Sequence, residues 1–152
     1  MANYNNNSKA EHNLTINYSL DKCKDALKRS LDSFLHINEN FNDVLNTYSF
    51  GRNKGIWNEN YTICFSKVDD DTTNMNISCV GSSDGGETNA QLELYLAEFL
   101  NIFTNAIEGK SVDELEQIAS EQNADNSLGN SMVLLYLIGI AVSMYILLRV
   151  FI

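Results

Sequence analysis

The side chains able to do chemistry are few and scattered. His12 and His36 are the only histidines, and neither has a Cys, Ser or Asp at a spacing that would make a nucleophile and its base. Asp69, Asp70 and Asp71 offer carboxylates to a divalent cation. A calcium loop of the EF type, however, needs alternating ligands, a central Gly and a closing Glu, and none follows here; the triplet reads as a solvated hairpin turn. The stretch Gly81-Ser-Ser-Asp-Gly-Gly-Glu-Thr88 has the glycines of a phosphate cradle but lacks the Gly-Lys-Ser/Thr ending, so it reads as a strand-to-helix connector. Cys23, Cys64 and Cys79 are odd in number and stand at no CxxC spacing, which signals neither a disulfide framework nor a zinc site. Each falls in an expected helix or strand, where a thiol packs as a small hydrophobe, and all three are read as reduced. Trp57, in the turn before an expected strand, is the large aromatic best placed to contact a partner. The expectation from these residues is a chain with no catalytic residue, no cofactor, no metal site and no enzymatic activity.

The elements that would carry such residues divide sharply by polarity. The chain has 152 residues, 20 acidic against ten basic, a net charge of −10 and no proline. That charge repels phosphate and weighs against a nucleic-acid partner, so none is expected. All 20 acids and nine of the bases precede residue 131, so the polar part alone carries −11. Residues 1–67 are nearly balanced, with eight bases and seven acids, whereas residues 68–130 set Lys110 against 13 acids. This acidity reads as a solvated face that keeps the domain soluble.

Residues 131–152 are almost wholly apolar. The run from Met132 to Leu148, containing Leu135, Tyr136, Gly139, Ser143 and Tyr145, has no charge. With Val150, Phe151 and Ile152 it reaches the roughly 20 apolar residues that a helix needs to cross a bilayer. Arg149 is placed to snorkel to the far headgroups. The segment shows no polar stripe, and a single transmembrane helix is expected. Gly139 and Ser143 form a small-xxx-small pair through which two such helices would meet in a homodimer. The opening Met1-Ala-Asn-Tyr-Asn-Asn-Asn-Ser8 is polar and has no leader-like apolar stretch. The expected arrangement is therefore a single-pass, tail-anchored protein with its N-terminal domain in the cytoplasm, although the lone Arg149 beyond the span points the other way by charge bias.

Between an Asn-rich leader at 1–12, expected to be disordered, and the anchor lies an expected domain at 13–110, followed by a short acidic helix and linker at 111–130. Leu14, Ile16 and Tyr18 alternate with polar residues as in a strand. Ser19 is a good N-cap for a helix whose stripe is Leu20, Cys23, Leu27, Leu31, Phe34 and Leu35. Further strands are expected at Val44–Phe50, closed by Gly51-Arg-Asn-Lys-Gly55, at Tyr61–Val68 and at Asn74–Gly81. Thr88 and Gln91 have capping-box spacing ahead of the stripe Leu92, Leu96, Phe99, Phe103, Ala106 and Ile107, which ends at Gly109. Ser111 and Glu114 repeat the box. The order β-α-β-β-β-α, with one apolar face per strand, implies an α+β fold: a mostly antiparallel four-stranded sheet with both helices on one side. The segment Gly55-Ile-Trp-Asn-Glu-Asn-Tyr-Thr-Ile-Cys-Phe-Ser-Lys-Val-Asp-Asp-Asp-Thr-Thr-Asn-Met-Asn-Ile-Ser-Cys-Val-Gly-Ser82 resembles the central hairpin of small bacterial α+β domains of the TATA-binding-protein-like or helix-grip kind. The resemblance spans roughly residues 13–109 and implies a fold, with no activity attached.

The opposite face of the sheet, built from Thr15, Asn17, Thr62, Cys64, Ser66, Asn76 and Ser78, carries no charge and suits either solvent or a partner. The leading expectation is an interaction or adaptor module held at a lipid bilayer and meeting an unknown protein. One alternative is a membrane-proximal binder of lipid or a small ligand between sheet and helices. Another is an exported surface or virion protein, for which five N-x-S/T triplets, at Asn6, Asn13, Asn17, Asn60 and Asn76, would be acceptors.

Overall fold

The computed structural model describes the backbone of residues 8–34, 36–54, 57–81 and 88–127, and the side chains of these except residues 53, 54, 57, 58 and 123–127. The elements run β1 (Lys9–Ile16), α1 (Leu20–Ser33), β2 (Ile37–Asn42), β3 (Thr47–Lys54), β4 (Trp57–Lys67), β5 (Thr73–Gly81), α2 (Asn89–Ile107) and α3 (Val112–Ser127). The five strands form one antiparallel sheet in the order β1-β5-β4-β3-β2. Helix α2 packs over β1 and β5, α1 lies beside α2, and α3 packs against both helices. The α+β expectation with an antiparallel sheet holds, but the sheet has five strands where four are expected from the sequence.

The additional strand is β2, whose sequence Ile37-Asn-Glu-Asn-Phe-Asn42 has two apolar residues and is exposed along nearly its whole length. It lies at the sheet edge, so it buries too little to show alternation. The apolar pair expected to begin the second strand, Val44 and Leu45, instead lies in the turn between β2 and β3, exposed by 91% and 67%. Strand β3 then runs through the stretch expected to close it. Gly51 sits inside that strand, where an added Cβ would come within 3.2 Å of Ile37 on β2. Two other boundaries differ: β1 begins at Lys9, inside the expected leader, and α3 runs to Ser127, through most of the segment at 111–130 expected to hold a short helix and a linker.

Local chemistry sets the helix ends. The Ser19 hydroxyl accepts a hydrogen bond from the Lys22 amide at 3.4 Å. Thr88 and Gln91 form a complete capping box. In the second box the Ser111 amide donates to Glu114 Oε2 at 2.8 Å and the Glu114 amide to Ser111 Oγ at 3.4 Å. The bonds that the Ser111 amide and hydroxyl donate to it hold the Glu114 carboxyl below its ordinary range. Gly109, with φ +100°, supplies the left-handed residue that ends α2.

Between sheet and helices the layer is filled by rings. Phe34 lies edge-on to Phe50, Tyr61 and Phe99, with centroids 6.2, 5.7 and 5.3 Å away, and Phe50 stacks on Tyr61 at 4.9 Å. Phe65 stacks on Phe103 at 6.4 Å. Leu27, Leu31, Ile63, Ile77, Leu92, Leu96 and Ile102 are buried among them, and Leu115 brings α3 into the same core.

Candidate functional site

The outer face of the sheet is organised by register. Side chains of alternate residues point the same way, so antiparallel pairing lines the outward residues into rows across the strands. One row is Thr15, Asn74 and Ser66; the next is Asn13, Asn76, Cys64, Thr47 and Asn42; a third is Glu11, Ser78, Thr62, Ser49 and Asn40. Apart from Glu11 at the β1 edge, these three rows hold only amides, hydroxyls and a thiol. Every member of the expected neutral face that lies within a strand belongs to them; Asn17 falls just beyond β1.

Where the first two rows meet, the face dips into a depression of about 380 Å³ lined by Asn13, Thr15, Cys64, Ser66, Asn74 and Asn76. Its amides are tied in a defined order. Asn76 Nδ2 donates to Glu11 Oε1 at 3.0 Å and to Asn13 Oδ1 at 2.7 Å, and Thr15 Oγ1 donates to Asn74 Oδ1 at 2.9 Å. Glu11, whose carboxyl is lowered by its bonds to Lys9 and Asn76, accepts only, and this turns the Asn76 nitrogen toward it.

The inner face carries a charged cluster that sequence reading missed. Arg52 on β3 stands opposite Glu59 on β4, with Tyr61 two residues further along and Glu98 reaching down from α2. Arg52 Nη1 donates to Glu98 Oε2 at 2.7 Å, and the guanidinium carbon lies 4.2 Å from the Phe34 ring centroid. The Tyr61 hydroxyl donates to Glu59 Oε2 at 2.6 Å. All four residues are buried, Arg52 to 7% and Glu98 to 5% exposure. Burial, with Cys79 and Glu59 adding to it and Arg52 opposing, pushes the Tyr61 hydroxyl well above the phenol range, so it remains a hydrogen-bond donor. The cluster fastens α2 to the middle of the sheet. A signal existed: Arg52 follows Phe50 by two and Glu59 precedes Tyr61 by two, both in phase with the inward residues.

The sequence-selected residues disperse. His12 lies on β1, with Nε2 2.7 Å from Glu93 Oε2 on α2. His36 follows α1, its Nδ1 2.9 Å from the Leu31 carbonyl and its Nε2 2.9 Å from Glu39 Oε2. Burial lowers its basicity, but Glu39 and the Leu31 and Phe34 carbonyls outweigh that and raise the pKa above the ordinary imidazole value. Asp69–Asp71 form the β4–β5 turn, where Asp70 pairs with Lys67 and the Asp71 amide donates to Asp69. Cys23, Cys64 and Cys79 are not joined in disulfides. The Trp57 side chain, the connector at 82–87 and all anchor residues, Met132, Leu135, Tyr136, Gly139, Ser143, Tyr145, Leu148 and Arg149, lie outside the described residues. Among described residues, no helix is long and apolar enough to cross a membrane.

The class defined so far is an α+β domain with a five-stranded antiparallel sheet and its helices on one face. No family model and no curated protein matches the chain. Among solved structures it is similar to the Zhui aromatase/cyclase from Streptomyces sp. R1128, at 9% identity over 76% of this chain and 93% of that one, with a TM-score of 0.42. It is also similar to a conserved protein from Geobacillus kaustophilus, at 9% identity over 72% and 95% of the two chains, with a TM-score of 0.40. The expectation that the chain has no enzymatic activity is corrected here: one of these similar chains is an aromatase/cyclase by name, and that expectation is withdrawn. A likeness at this level assigns no activity in its place.

Proposed function

We propose that the chain is a membrane-held recognition domain. In this reading the apolar run 132–148 holds it at a bilayer, and the outer face of the sheet meets its partner. The observation that carries the reading is three side-chain rows whose one charged member is Glu11 at the β1 edge, in a chain of net charge −10, because a charge-poor face is the one on which an acidic domain repels a partner least. The ring-filled layer behind the sheet supports recognition at a surface over enclosure of a ligand between sheet and helices. The odd number of cysteines, at no CxxC spacing, suits a reducing compartment, with the domain on the cytosolic side.

Fusing a proximity-labelling enzyme to the N-terminus of the full chain tests the face. Thr62→Arg places a charge in the middle of a row without touching the core. Proteins labelled by the wild type and lost in the variant support the reading; identical sets for the two overturn it. A single Cys at Asn5, in a background without native cysteines, tests the orientation: an impermeant maleimide should label it only after permeabilisation.

A further inference from the structure

The depression on the outer face has a built hydrogen-bonding pattern. Because Asn76 commits its nitrogen to Glu11 and Asn13, the group it has left to offer is its oxygen, an acceptor. Because Asn13 and Asn74 receive bonds on their oxygens, the groups they have left to offer are their nitrogens, both donors. Two donors and an acceptor are thus available around an open depression of about 380 Å³, near the lower end of small-ligand sites by volume. Its lining has no charge, and the carboxylate of Glu11 stands at its rim.

We propose that this depression binds a neutral sugar ring. Hydroxyls on adjacent ring carbons each donate and accept, so they satisfy amide nitrogens and an amide oxygen side by side. An anionic sugar meets a strongly acidic domain, and a cationic one finds the Glu11 carboxylate already paired with Lys9. The ring comes either from a free glycan or from the headgroup of a neutral glycolipid. This inference rests on the reading of the outer face as the recognition surface.

The protein supplies its own reporter. Cys64 lines the depression and is half-buried, whereas Cys23 and Cys79 are buried. Alkylation of Cys64 would be followed by peptide mass spectrometry on the full chain in a detergent without a sugar headgroup. Maltotriose, cellotriose and diacetylchitobiose serve as neutral probes, glucuronate as the charged control, and glucosylceramide in mixed micelles as the glycolipid. A neutral probe at ten times its Kd should slow alkylation about tenfold, glucuronate should not, and Asn74→Ala or Asn13→Ala should remove the protection with melting temperature unchanged. Protection by soluble probes indicates a glycan, and by the micelles alone a glycolipid. If no probe slows alkylation, the sugar site is overturned. Slower alkylation in intact membranes than in purified protein then leaves the recognition face standing, and equal rates overturn both. A Cys64–Cys64 crosslink on mild oxidation overturns the sugar in favour of a second copy of the chain.

Discussion

The two faces of one sheet are built to opposite specifications. Inward residues of β3, β4 and β5 are Tyr48, Phe50, Tyr61, Ile63, Phe65, Met75 and Ile77, all buried; their outward neighbours are Ser49, Thr62, Cys64, Ser66, Asn74, Asn76 and Ser78. The inner face joins large apolar surfaces and one charged cluster to the helices, while the outer face joins hydrogen-bonding groups to one another and to solvent. In the proposed reading, stability and recognition fall on opposite sides of the same strands, so a change on one side need not disturb the other.

That separation can be broken by mutation, beginning with the core. Phe99→Ala removes the ring that meets Phe34, Phe50 and Tyr61 and should cost about 3–5 kcal/mol, read from the urea midpoint of unfolding. Glu98→Ala takes from the buried Arg52 guanidinium its partner on α2 and should cost about 3 kcal/mol, with amide exchange quickening first in α2. A smaller effect concerns His36. Its pKa is higher in the folded chain than the ordinary 6.5, so its bonds to Glu39 and Leu31 stabilise fully below that pH and lose their contribution as pH rises through the folded value. The difference in urea midpoint between wild type and His36→Gln should therefore shrink between pH 6 and 8. Thr62→Ala or Ser66→Ala on the outer face should leave stability within about 0.5 kcal/mol. A loss comparable to that of Phe99→Ala would end the proposed division of labour.

Much of this comparison was legible in the residue order. The alternation in β4 and β5 assigned both faces correctly, because each strand lies between neighbours and buries one whole side. Ser19, Thr88 and Ser111 announced three helix starts through side-chain chemistry that acts within one turn. The edge strand β2 was not legible because pairing with β3, not burial, defines it. Val44 and Leu45 misled because apolar character alone does not report burial. The charged cluster escaped because ionic residues are ordinarily assigned outward, and only strand parity carried across Phe50-Gly-Arg52 and Glu59-Asn-Tyr61 places them inside. The order of amide hydrogen bonds around the depression depends on cross-strand register, which no single strand contains.

One consequence of that register concerns covalent modification. Asn13, Asn60 and Asn76 each precede a Thr or Ser by two residues, the spacing at which a strand places both on one side. Glycosylation triplets therefore accumulate on an Asn- and Thr-rich sheet face as a by-product of its pleat. A glycan on Asn76 would displace its nitrogen from Asn13 and Glu11 and fill the depression from within. In such a molecule, carrying a sugar and receiving one would be mutually exclusive states.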